Sequence, residues 1–175
     1  MAKKRKNSQN IGATYERHCA KLFTEWWKRG VFGRTKGMQV LGHSERLAHG
    51  DITCVIGEPL ILDQTFPFSI ECKKSESWSF QEFLKGNPSL LVRSFWQQCK
   101  HDALLWKKEP LLVFTCNHHP DYALVKSSYF RLYDRELLET YEPKFYFQTL
   151  LEGDEVIIMT LSNFFGAFLP IGKEV

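Results

Sequence analysis

Two β-rich runs, "DITCVI" at residues 51–56 and "FSIECKK" at 68–74, stand between two stretches of helical periodicity. This arrangement limits the fold more than any other feature of the chain. Residues 10–29 place Ile11, Tyr15, Cys19, Leu22 and Trp26 on one stripe at helical spacing, and Gly30 is a stop signal. Residues 87–109 ("NPSLLVRSFWQQCKHDALLWKKE") read as a long helix, with Asn87 as N-cap and Pro88 at the first helical position. Its apolar stripe is Leu91, Phe95, Cys99 and Trp106, followed by a buried strand at 110–116. A helix, a strand meander and a helix returning to a further strand require a sheet with helices packed on it.

The same reading continues downstream. "DYALVK" (121–126) is a strand after a polar turn, and 131–141 a helix. "KFYFQTLL" and "EVIIMTL" are two more strands, and "SNFFGAFL" is a short helix capped by Ser162 or Asn163. The expected class is α/β, a mixed β-sheet flanked by helices with an αβββαβ core and a C-terminal α-β-β-α extension. At 175 residues the chain is expected to form a single domain over 10–175, with residues 1–9 as a basic, disordered tail.

Charge is unevenly placed. Residues 1–36 carry ten Lys/Arg against two Glu, while residues 131–175 carry four against eight acids. A basic leading segment points to a polyanion partner, and a solubilising tail reads equally well; Lys3–Lys6 is only a very weak match to a localisation signal. No apolar run approaches the ~18 residues of a membrane helix, and no apolar segment follows the basic start as in a secretory signal. Five Cys, an odd number and without a CxxC pair, suit free thiols. A cytoplasmic protein without membrane contact is the expectation.

The two central runs each carry charge at one end. Side chains alternate along a strand, so Glu71 and Lys73 share one face while Ile70 and Cys72 take the other. In isolation, a Glu and a Lys so placed are a surface ion pair contributing roughly 0–1 kcal/mol. Asp51 changes the reading, because Asp is disfavoured in strands yet opens this one. If the two runs pair, Asp51 approaches Glu71, and two adjacent carboxylates repel unless a cation lies between them. A hard divalent ion such as Mg²⁺ takes carboxylate oxygens, a carbonyl and waters. Lys73 is then placed to orient or activate a water, or to steady charge on a phosphorus centre. Asp63 is an alternative acid, but it lies in the excursion between the runs.

Asp51, a twenty-residue step and then Glu71-Cys72-Lys73 resembles the PD-(D/E)XK nuclease superfamily, with Gly50 where the half-motif has Pro. It is most similar to the archaeal and phage Holliday junction resolvases. That resemblance implies a restriction-endonuclease-like core and Mg²⁺-dependent hydrolysis of DNA, with Mn²⁺ substituting and a 5′-phosphate left behind. It implies that Asp51 and Glu71 hold the metal, with Glu16 on the first helix and the Cys72 carbonyl assisting. It also implies that Lys73 positions the attacking water and Gln98 orients the site, with Asp102 one turn on. Arg34, Lys36, Ser44, Arg46 and Lys74 are then the expected DNA contacts. A resolvase cuts two strands symmetrically, so the resemblance implies a homodimer. The aromatic C-terminal section is either its surface or more core. No organic cofactor is expected.

Other constellations are weaker. "CNHHPD" offers Cys116, His118, His119 and Asp121, but no second zinc knuckle is present, so a polar turn is the better reading. No P-loop or Gly-x-Ser-x-Gly stands in the chain. A restriction- or repair-type nuclease acting on ordinary duplex, or a binding module keeping the fold without cleavage, are the rivals.

Overall fold

The computed structural model describes residues 2–28, 30–35, 50–56, 66–76, 78–85, 90–129 and 146–168. Helix α1 spans Ala2–Trp27 and is followed by strands β1 (Val31–Arg34), β2 (Ile52–Ile56) and β3 (Phe68–Lys74). A short helix α2 (Phe80–Leu84) precedes α3 (Leu90–Leu105), β4 (Glu109–Thr115) and β5 (Tyr122–Lys126). Strands β6 (Tyr146–Leu151) and β7 (Asp154–Thr160) and helix α4 (Leu161–Ala167) complete the described chain.

One seven-stranded sheet runs in the order β1-β2-β3-β4-β5-β7-β6. Among the described strands only β3 and β4 pair in parallel, with Glu71 opposite Leu112 and Lys73 opposite Phe114. A parallel pair needs a crossover, and α3 supplies it. The two faces of the sheet carry separate cores. Tyr15, Cys19, Phe23 and Trp27 of α1 pack with Ile70, Cys72, Val113 and Val125, and with Phe164 and Phe168 at the C-terminal helix. Val92, Trp96 and Cys99 of α3 pack with Leu112, Phe114, Leu124 and Ile158. The indole of Trp26 ties α1 to α4 by donating to the carbonyls of Phe165 (3.0 Å) and Phe168 (3.1 Å). This is the expected α/β class, a mixed sheet flanked by helices.

Several expectations shift in detail. The first helix begins at Ala2, not at residue 10, so residues 2–9 form its first turns rather than a disordered tail. Lys, Arg and Gln are good helix formers, and nothing before Gly12 breaks the run. The helix ends earlier than Gly30, with Lys28 in the left-handed region at φ 56°. Its buried face is Tyr15, Cys19, Phe23 and Trp27, whereas Ile11 is exposed. In α3 the buried line is Val92, Trp96, Cys99 and Ala103, while Leu91 and Phe95 are half-buried at its margin. The cap of α4 is Thr160, whose hydroxyl accepts from the Asn163 amide (3.3 Å), and not Ser162 or Asn163. Phe164 and Phe168 are core rather than dimer surface, while Tyr146 and Leu150 on β6 are exposed. Asn87, Pro88 and the helix expected at 131–141 lie outside the described residues. No described helix is long and apolar enough to cross a membrane.

Candidate active site

The site forms where β2 meets β3. These strands pair antiparallel, Ile52 opposite Ile70, and the Asp51 amide donates to the Ile70 carbonyl at 2.7 Å. Gly50 makes that approach possible. Its φ is +64°, and a Cβ built there would stand 2.1 Å from the Ile70 carbonyl oxygen. Proline fixes φ near −65°, so the Pro of the half-motif cannot adopt this turn. The departure from the motif at residue 50 follows from backbone geometry. The turn aims Asp51 Oδ2 at the Cys72 amide, which donates to it at 2.9 Å.

Alternation along β3 sends Cys72 into the α1-side core and turns Glu71 and Lys73 toward α3. The Glu71 side chain is only 2% exposed. Its Oε1 accepts from the Lys73 ammonium and from the Gln98 amide at 2.6 Å. Lys73 Nζ also lies 3.8 Å from Asp51 Oδ2 and 6.0 Å from the centre of the Phe95 ring. Asp51, Glu71, Lys73 and Gln98 therefore converge on one corner. Gln98 reaches it from the exposed margin of α3 and not from inside the apolar stripe, while Gln97 turns away to Glu152 (2.6 Å).

Electrostatics sharpen the picture. Burial, with the neighbouring Asp51 charge, pushes the Glu71 carboxyl up from 4.5 to about 7, against the opposing pull of Lys73. Asp102 adds a smaller push in the same direction. Burial would lower Lys73, but the Glu71 and Asp51 carboxylates outweigh it, so its pKa is raised and it stays an ammonium. Asp51 Oδ1 and Glu71 Oε2 take part in no hydrogen bond among the described residues. An all-oxygen pair of crowded carboxylates with free lone pairs suits a hard divalent cation, which commonly uses one or two carboxylates and fills its shell with water. Among the described residues no three His, Cys, Asp or Glu side chains gather as a metal-binding group.

The profile of the family described as "Phage putative PDDEXK endonuclease" matches residues 7–170. The chain belongs to this family. No curated protein and no solved structure matches it.

The remaining expected residues of this PDDEXK protein are spread out. Glu16 is buried and ion-paired with Arg34 on β1, so a residue expected at the metal and one expected at DNA hold each other. Lys74 is exposed and projects to the opposite face of the sheet from Lys73. Lys36, Ser44, Arg46 and the alternative acid Asp63 lie outside the described residues. All five Cys are buried free thiols. Sequence reasoning missed Asp121 as an anchor: its two oxygens bond the Tyr15 hydroxyl (3.0 Å) and His18 Nε2 (3.0 Å). The available signal was Tyr15 and His18 one turn apart on α1, facing a lone Asp that opens a strand.

Proposed function

We propose that the protein is a divalent-metal-dependent endonuclease that hydrolyses phosphodiester bonds in DNA, using Mg²⁺ or Mn²⁺. The convergence of Asp51, Glu71, Lys73 and Gln98 carries this reading. Asp51 and Glu71 hold the ion, with the Cys72 carbonyl beside them. The ion, when bound, supplies an acidified water and neutralises charge on the scissile phosphate. The Cys72 amide fixes the Asp51 carboxylate, and Gln98 fixes that of Glu71. Lys73, as an ammonium, orients the attacking water and faces the charge that develops on the phosphate. Glu16 takes part only when Arg34 releases it.

Branched DNA, cut symmetrically by a homodimer, is the substrate class that the resolvase resemblance favours. Exposed Tyr146 and Leu150 on the edge strand β6 support a dimer contact there. The test is cleavage of four-way junctions, linear duplex and single strands with Mg²⁺ or EDTA, by wild type and Asp51→Ala. Junction cutting that needs Mg²⁺ and Asp51 is the expected result. Equal cutting of linear duplex removes the resolvase label, and no cutting of any substrate leaves a binding module.

A further inference from the structure

A second polar concavity lies on the other face of the same strand ends. A cleft of about 910 Å³ opens between the first half of α1 and the β4–β5 turn, with Lys74, Thr115 and Asp121 along its floor. Lys73 and Lys74 are consecutive, so one strand end places an ammonium in the carboxylate corner and the next in this cleft. Among the described residues the Lys74 side chain has no hydrogen bond or ion pair.

The cleft is built rather than incidental. Asp121 holds the His18 imidazole with one oxygen and is itself anchored by the buried Tyr15 hydroxyl on the other. Across from it the turn presents His118 and His119. Thr115 Oγ1 donates to the carbonyls of His119 (3.3 Å) and Pro120 (3.1 Å), and the His119 amide donates to the Cys116 carbonyl (3.2 Å). His118 sits in the left-handed region at φ 64°, a conformation in which His is enriched among non-glycine residues. The cleft is thus lined by three imidazoles, His18 held by Asp121 and His118 and His119 carried on the turn with the His119 ring 6.4 Å from that of Trp78, and by the Lys74 ammonium.

We propose that this cleft is a subsite for an unpaired stretch of the substrate strand next to the scissile phosphate. The inference rests on the endonuclease reading and adds the state of the strand. α1 stands on one side of the cleft and the β4–β5 turn on the other, with a volume of the order of a few nucleotides of one strand. Imidazole faces give bases a surface to stack on, and Lys74 meets the backbone charge; proteins hold single strands by this combination. A strand crossing the end of β3 passes from Lys74 to Lys73, from subsite to scissile centre. The endonuclease is thus suited to branch points or splayed ends, where one strand leaves its partner.

The experiment uses the full chain in EDTA, so that nothing is cut. Fluorescence anisotropy is read with a labelled single strand of about a dozen nucleotides and with a blunt duplex. Wild type should prefer the single strand. His18→Ala and Lys74→Gln should each weaken that binding about fivefold or more, a loss of the size expected for one stacked base. Lys21→Gln, an equal loss of charge outside the cleft, should leave it unchanged, as should the melting temperature of all three variants. Wild-type affinity for the strand in both cleft variants overturns the proposal, and so does a wild-type preference for blunt duplex. If wild type cuts DNA with Mg²⁺ but fails these binding tests, the cleft is refuted and the endonuclease reading stands. If it binds the strand through His18 and cuts nothing, the endonuclease reading is lost and the cleft is upheld.

Discussion

Glu71 and Asp121 are acids at the same end of one sheet, on opposite faces, and their surroundings differ. Asp121 is satisfied by a phenol and an imidazole, one on each oxygen. Its role is to hold Tyr15 and His18 still. Glu71 shares its corner with Asp51, keeps one oxygen free of hydrogen bonds among the described residues and has its pKa raised. An ordered carboxylate at a sheet end therefore says little about chemistry by itself. Like charge beside free lone pairs marks the corner that wants a cation, and a fully satisfied acid marks a scaffold.

The sharpest way to break that contrast is to remove the acids of the corner. Asp51→Ala and Glu71→Ala should each lower cleavage by at least about 100-fold at saturating Mg²⁺, since each takes away direct stabilisation of the reacting charge. Gel-resolved cleavage of labelled DNA measures the loss, and a variant retaining a tenth of wild-type activity contradicts the assignment. Asp121→Asn keeps one oxygen for Tyr15 and should change the cleavage rate far less.

Gly50→Ala tests the turn beneath the corner. The added methyl must displace the Ile70 carbonyl and occupy positive φ, so a cost of about 2 kcal/mol or more is expected. For a chain of this size that lowers the melting temperature by roughly 4–8 °C. Activity should fall with it, because the same turn aims Asp51. An Ala variant that melts like wild type would show that the backbone relaxes there.

The raised Glu71 pKa gives a test on the metal-free protein. The folded state keeps this proton up to about pH 7, while the unfolded chain releases it near 4.5. Stability from this group is therefore greatest at low pH, falls as pH rises between these values and is flat above them. Denaturant unfolding in EDTA should find wild type about 2–3 kcal/mol less stable at pH 8 than at pH 5 from this source. Glu71→Gln removes the slope and is the more stable protein at pH 8. Parallel pH curves for the two proteins contradict the crowding of Asp51 and Glu71.

Much of this corner was legible because strand alternation is a strict rule. Once 68–74 is a strand, Glu71 and Lys73 must share a face, and the Asp that opens the neighbouring run must lie near them. Gln98 was reachable from helix spacing, even though the α3 stripe is offset by one residue: Val92 and Trp96 are buried, and Leu91 and Phe95 border them. What the chain did not disclose depends on distant partners or on backbone angles. Asp121 and His18 are 103 residues apart. The positive φ of Gly50 is set by a carbonyl twenty residues away in sequence. The Glu16–Arg34 pair joins two residues whose spacing carries no helical or strand signal.

That last pair yields the smallest and most discriminating effect. Glu16 is buried beside Arg34, with side chains 10% and 23% exposed, so the guanidinium compensates its charge in the metal-free state. The resemblance implies that this carboxylate assists the metal, while the pair keeps it engaged elsewhere. Replacing Arg34 with Gln leaves Glu16 without its cation, the state in which the resemblance would have it assist the metal. Mn²⁺ binding followed by calorimetry should then tighten, by less than about tenfold, because a supporting carboxylate tunes a site that two others define. Glu16→Gln should loosen the same binding by a similar factor, and the double variant should match Glu16→Gln alone. If Arg34→Gln leaves Mn²⁺ affinity unchanged, Glu16 belongs to the scaffold like Asp121, and the corner works with two carboxylates.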